Sequence, residues 1–309
     1  MVSVHDSGPI DDRRPQWPVL VATDNYEIRM AETQAEVEAA QRVRYRVFYE
    51  ELTAVPTPAM EATGRDFDKY DPYCDHLIAI DRSNVDEDGQ PVVMGCYRLL
   101  RNEGALRAGG FYTSGEFDIS KLLQSVQKGT RLLELGRSCV AKEYRTKPLI
   151  VQLLWSGVMA YVARYKIDVM FGCASFPGTD PQAIAMPLAY LHHFHPMREE
   201  IKARALPKLY VDMDLMPKDQ INPREALMAL PPLIKGYVRT GAQIGEGAVI
   251  DHQFSTTDVL IYVSLLEMSP RYRKRFGLPN LKPPSATSNN RTSAGSRACT
   301  RMLSSSMMA

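Results

Sequence analysis

The sequence predicts an α/β layered domain, a central mixed sheet flanked by helices. Two observations carry that expectation. Segments with apolar residues at helical spacing alternate with short apolar runs of strand length, in the order β-α-β-β-β-α-β-α…β-β. The composition, 45% hydrophobic and 24% charged over 309 residues, is that of a globular chain long enough for a large core.

Residues 26–30 read as the first strand. From 33 to 52, Val37, Ala40, Val43 and Val47 recur at helical spacing, and Thr33 followed by Glu36 forms a capping-box pattern that starts this helix. Arg44 and Phe48, four apart, make a second stripe beside the core stripe. A polar loop with G-R-D-F-D-K-Y-D at 64–71 follows, then strands at 76–81 and 92–101 joined by the turn-rich S-N-V-D-E-D-G-Q-P. Segment 111–126 suggests a short helix and 131–141 a buried strand. Pro148 falls near the first turn of a long helix, where its missing N–H costs nothing. Residues 169–175 read as a strand, 181–196 as a helix, and 223–241 as helical with a break at Pro231-Pro232. Segments 241–254 and 256–265 close the sheet. One folded domain over 24–278 is expected, with a helical insertion at about 176–222 before the last two strands. Disordered ends are expected at 1–23 and in the polar tail 279–309.

A net charge of +1 gives no electrostatic case for nucleic acid. No apolar run reaches the ~18–20 residues of a membrane span; the best candidate, 149–165, is interrupted by Gln152, Ser156 and Arg164. The N-terminus lacks a signal-peptide pattern, and five cysteines without C-x-x-C spacing read as reduced structural thiols. The expected location is the cytoplasm.

One stretch resists a purely structural reading. L-L-E-L-G-R-S-C at 132–139 places Glu134 and Arg137 inside an apolar strand. Buried charges are normally paired, shifted in pKa, or set in a cleft. A Glu134–Arg137 ion pair and a catalytic carboxylate are both open. Side chains three apart on a regular strand face opposite ways, but a bulge at Gly136 shifts that parity. Other clusters are weaker. His76 and Asp81, five apart on a strand, cannot form a dyad; His192, His193 and His195 lack the i, i+4 spacing of helical metal ligands. D-x-D-x-x-D at 66–71 lacks the glycine and distal glutamate of a calcium loop, and no metal is expected.

Four motifs together carry a resemblance: R-Y-R-V-F at 44–48, D-K-Y-D at 68–71, G-C-Y-R-L-L at 95–100 and E-L-G-R-S at 134–138. In this order they resemble the acyl-homoserine-lactone synthases, part of the wider GNAT N-acyltransferase fold. The matching residues are Arg44, Phe48, Asp68, Asp71, Arg98, Glu134 and Arg137. Segments across about 26–278, among them C-D-H-L at 74–77, M-F-G-C-A-S-F-P-G at 170–178 and T-T-D-V-L-I at 256–261, are more similar to a sister family. Its members make lyso-ornithine lipid from ornithine and a 3-hydroxyacyl carrier protein. The tryptophan that lactone synthases carry after the R-x-x-x-F helix is absent here.

The resemblance implies a GNAT-like fold and N-acylation by direct amine attack. L-ornithine is the implied acceptor. The co-substrate is the 3-hydroxyacyl-phosphopantetheine of acyl carrier protein, with no bound cofactor. Glu134, in an apolar setting, is the expected general base, with Arg137 beside it. Arg44, Phe48, Asp68, Asp71 and Arg98 are expected around the acceptor, the Asp66/Asp68/Asp71 group facing its δ-ammonium and Arg98 or Arg44 its carboxylate. A splayed strand, with Gly136, Ser138 and Val140, would receive the acyl and pantetheine groups. The turn after it has no glycine, which suits a single carrier phosphate better than coenzyme A; Arg145 and Lys147 are placed to meet it. Helix 223–241 and R-Y-R-K-R at 271–275 suggest peripheral contact with the inner face of a membrane. The alternatives are a lactone synthase using S-adenosylmethionine and a non-catalytic module that binds carrier protein or membrane.

Overall fold

The computed structural model describes residues 19–86, 89–126, 128–146 and 148–275. Strands β1 (Val21–Ala22) and β2 (Tyr26–Met30) lead to helix α1 (Gln34–Tyr45), which runs on as a π-type turn over Arg46–Glu51. Thr33 and Glu36 form the expected capping box, each side chain bonded to the other's backbone N–H. After α2 (Pro58–Thr63) come β3 (Asp75–Val85), β4 (Pro91–Arg101), α3 (Asn102–Ala108), β5 (Phe117–Asp118) and α4 (Ser120–Val126). Strand β6 (Leu132–Val140) is joined through α5 (Pro148–Tyr165) to β7 (Val169–Pro177). Then follow α6 (Ala185–Phe194), β8 (Arg204–Ala205), β9 (Tyr210–Val211), α7 (Pro223–Ala229) and α8 (Pro232–Thr240). Strands β10 (Gln243–Asp251) and β11 (Thr256–Ser264) close the sheet before α9 (Pro270–Arg275).

The strands form one mixed sheet in the order β1-β2-β3-β4-β6-β7-β11-β10-β8-β5, with β9 on β10. Nearly all neighbours are antiparallel; β6–β7 and β10–β8 are parallel. The β6-α5-β7 crossover thus joins the antiparallel β1-β2-β3-β4-β6 half to one built on the antiparallel β7-β11-β10. Alternation along the strands builds a core on each face. On β11, Val259, Ile261 and Val263 join the larger core under α1, α5 and α8, while Leu260 and Tyr262 join the smaller core by α3 and α4.

Some expectations are corrected. The sheet starts before residue 24, because Val21–Ala22 pairs with β2. Segment 111–126 holds its short helix as α4, preceded by a 3-10 turn and β5, while α3 was not foreseen. The insertion at 176–222 is mixed, carrying β8 and β9 as well as α6. The apolar side of α8 (Ile234, Tyr237, Val238) is buried against the sheet, and Arg273 of α9 is also buried, so neither segment offers its full face to lipid. The expected tail 279–309, and residues 1–18 of the expected disordered N-terminus, lie outside the described residues.

Two irregularities in β6 make the site. It pairs with β7 only from Leu132↔Val169 to Glu134↔Phe171, after which the strands part. At the parting, Gly172 has φ 155°, and a Cβ there would lie 2.3 Å from the Leu135 carbonyl oxygen, an approach that requires glycine. On its other edge β6 pairs Cys139 with Cys96 and Gly136 with Arg98, so three steps on β6 oppose two on β4. The bulge lies where the glycine suggested, but the left-handed residue is Arg137 (φ 50°) and not Gly136. That conformation costs a non-glycine residue about 1 kcal/mol.

Candidate active site

The parted strands open a cleft of about 270 Å³. Because β6 and β7 separate, it is lined from both faces of the sheet. Leu135, Met170, Ile261 and Val263 come from the larger core's face; Glu134, Cys173 and Asp258 alternate onto the other. Phe48, Arg98, Gly136, Arg137 and Ser138 also line it.

Glu134 and Arg137 do not pair with each other. The Glu134 carboxylate accepts the backbone amides of Tyr112 (2.9 Å) and Thr113 (2.6 Å), anchoring the 3-10 turn Tyr112–Gly115. Burial pushes its pKa up, against those hydrogen bonds. Arg137 lies over the rings of Tyr112 (5.0 Å) and Phe254 (4.7 Å). Both residues therefore reach Tyr112, the parity shift a bulge produces.

The aspartate loop is neutralised from within. Arg44, 1% exposed, bonds Asp66 and Asp71 at 2.7 Å each. Arg98 bonds Asp68 (2.7 Å) and Asp71 (3.0 Å); Arg137 reaches Asp66 (3.3 Å) and Asp68 (3.2 Å). Three guanidinium groups meet three carboxylates, so the pairing leaves no net charge for a substrate. Burial alone would raise the Asp71 pKa, but Arg44 and Arg98 hold it below the usual carboxylate range. Arg44 thus pairs with Asp66 and Asp71, while Asp68 is held by Arg98 and Arg137. This geometry favours a scaffold over a δ-ammonium site. Losing one partner from such a buried network typically costs about 3–5 kcal/mol.

The remaining expected residues are less exposed to the cleft. The Val140 carbonyl accepts from Arg145 Nε at 2.7 Å, and Arg145 also pairs with Glu51 at 2.6 Å. Lys147 lies outside the described residues. Of the three histidines, His192 and His193 lie with Asp214, their ligand atoms within 4.8 Å of one another, while His195 bonds the Tyr190 hydroxyl (3.0 Å). His76 bonds the Asp71 carbonyl and Asp81 the Tyr144 hydroxyl, so they form no dyad.

One cluster escaped the sequence reading. Oxygens of Glu116, Asp251 and Asp258 all lie within 4.8 Å of one another at the cleft. Burial, then neighbouring Asp258, pushes the Glu116 carboxyl up to about 8, and burial raises Asp258 to about 6. Cys173 Sγ donates to Glu116 at 3.1 Å. Asp258 carries the same signal as Glu134, a carboxylate inside an apolar strand (T-T-D-V-L-I), and could have been found by it.

The acetyltransferase (GNAT) domain family matches residues 43–156. The L-ornithine N(alpha)-acyltransferase of Rhizobium meliloti (strain 1021) is 50% identical over 263 residues, 85% of this chain and 88% of that protein. The L-ornithine N(alpha)-acyltransferase of Brucella abortus (strain 2308) is 48% identical over 259 residues, 84% of this chain and 91% of that one. Among solved structures, FeeM, an N-acyl amino acid synthase from uncultured soil microbes, aligns with 82% of this chain and 95% of its own at 13% identity and a TM-score of 0.45. With 48–50% identity to these two acyltransferases over more than four-fifths of its length, the chain belongs to the L-ornithine N(alpha)-acyltransferase family.

Proposed function

We propose that this chain transfers a 3-hydroxyacyl group from acyl carrier protein to the α-amine of L-ornithine, the first step of ornithine lipid synthesis. The observation that carries the reading is the 50% identity to a curated L-ornithine N(alpha)-acyltransferase across 85% of the chain. The reaction needs a deprotonated amine, a polarised thioester carbonyl and a channel for the acyl and pantetheine arms. The parted strands fit the third need: backbone along Gly136–Ser138 no longer pairs with β7, and Leu135, Met170, Ile261 and Val263 give an apolar wall. The amine attacks the carbonyl carbon, the C–S bond breaks, and the carrier thiol and lyso-ornithine lipid leave. Glu134 is the base in this reading, since burial raises its pKa and it lines the cleft. Arg44, Asp68, Asp71 and Arg98 hold the acceptor side in shape, with Phe48 on the cleft wall.

The carrier's phosphate is assigned to Arg145 and Lys147; Arg145 would exchange its contact with Glu51 for it. Peripheral membrane contact is assigned to the exposed Arg271 and Lys274. No helix among the described residues is long and apolar enough to cross a membrane.

Expression in a host without ornithine lipids, followed by mass spectrometry of its lipids, tests the reading. A new ornithine-containing lysolipid is expected; a new lactone instead would assign the chain to signal synthesis. Glu134→Gln should lower turnover at least roughly tenfold with the fold kept, as judged by circular dichroism. Unchanged turnover removes Glu134 as the base.

A further inference from the structure

We infer that Glu116, Asp251 and Asp258 form the subsite that holds the side-chain ammonium of the diamine acceptor, and so decide which of its two amines meets the thioester. This rests on the acyltransfer reading above and names the part of the site that selects its substrate.

Three elements bring the carboxylates together. Glu116 follows the 3-10 turn that Glu134 anchors, Asp251 ends β10, and Asp258 lies on β11. Asp251 also accepts the amides of Gln253 and Phe254, which fixes it in the β10–β11 turn. Asp251 and Asp258 line the same cleft as Glu134, Gly136 and Arg137. Asp258 is 6% exposed, and its Oδ1 is buried with no hydrogen-bond partner among the described residues. The Thr256 and Ser175 hydroxyls, which line the same cleft, lie beside its carboxyl and lower its pKa against burial.

Charge separates this group from the aspartate loop. Asp66, Asp68 and Asp71 are matched by three arginines, whereas none of Glu116, Asp251 and Asp258 forms a salt bridge with Lys or Arg among the described residues. Clustered buried carboxylates hold protons or recruit a cation. A primary ammonium has three donors, which suits acceptors converging from three sides. With the distal ammonium held there, the α-amine remains for the reactive part of the cleft. An amino acid without that ammonium would leave Asp258 buried and unpaired, a larger penalty than a lost apolar contact.

The test is the ratio of kcat/KM for L-ornithine to that for L-norvaline, the analogue with no δ-amine, in the full chain with loaded carrier protein. The wild-type ratio should be roughly a hundred or more. Asp258→Asn should bring it down by at least roughly tenfold, and Glu116→Gln should do the same should the first variant fail to fold. A ratio kept in the soluble variants overturns the subsite, as does an equal loss for both acceptors. Activity abolished by a chelator and restored by a divalent cation would give the cluster to a metal and also overturn it. A wild-type chain that acylates neither amino acid overturns the acyltransfer reading instead.

Discussion

At the scale of residues, two sets of buried carboxylates behave in opposite ways. In the aspartate loop, Arg44 and Arg98 keep Asp71 ionised. At the cleft, Glu116 has no ion pair with Lys or Arg among the described residues, and burial, then Asp258, raises its pKa to about 8 against the weaker pull of Arg137. For Glu116 the folded chain holds a proton that the unfolded chain has already lost. Its contribution is therefore full below the ordinary value near 4.5 and is lost as pH rises through about 8. Glu134 and Asp258 are shifted the same way. His76, lowered to about 4 chiefly by burial, opposes them only below its ordinary 6.5. Thermal unfolding without substrate should show stability falling by about 2 kcal/mol from pH 6.5 to 8. Glu116→Gln should flatten that slope; a slope that is flat in the wild type, or kept in the variant, counts against the assignment.

At the scale of elements, the site depends on β6 parting from β7. Gly172 is where this is most sensitive, because its missing Cβ admits the Leu135 carbonyl. Gly172→Ala should cost about 2 kcal/mol or more in a urea titration, and a wild-type midpoint would show that the strands do not need that approach. Much of this element was legible. The charges in L-L-E-L-G-R-S-C marked the strand, and glycine marked the bulge to within one residue. The left-handed residue was not legible, since Arg137 adopts that conformation only with Asp66, Asp68 and two aromatic rings around its guanidinium. Local signals did better where the physics is local. Thr33 with Glu36 and Pro148 at the start of α5 each located a helix start.

At the scale of the molecule, the sheet order does what spacing cannot. Placing β11 and β10 beside β7 brings Asp258 and Asp251 to Glu116, far away in sequence. The same distance hid the pairing of the aspartate loop with three arginines from three elements. Motif order therefore led to the family, while the division of labour among its charges required the fold. All of this converges on acylation of the acceptor's α-amine rather than its δ-amine. Tandem mass spectrometry of the product from purified chain, 3-hydroxyacyl carrier protein and L-ornithine tests it most directly. An α-amide with a free δ-amine is expected; a δ-amide would overturn this assignment.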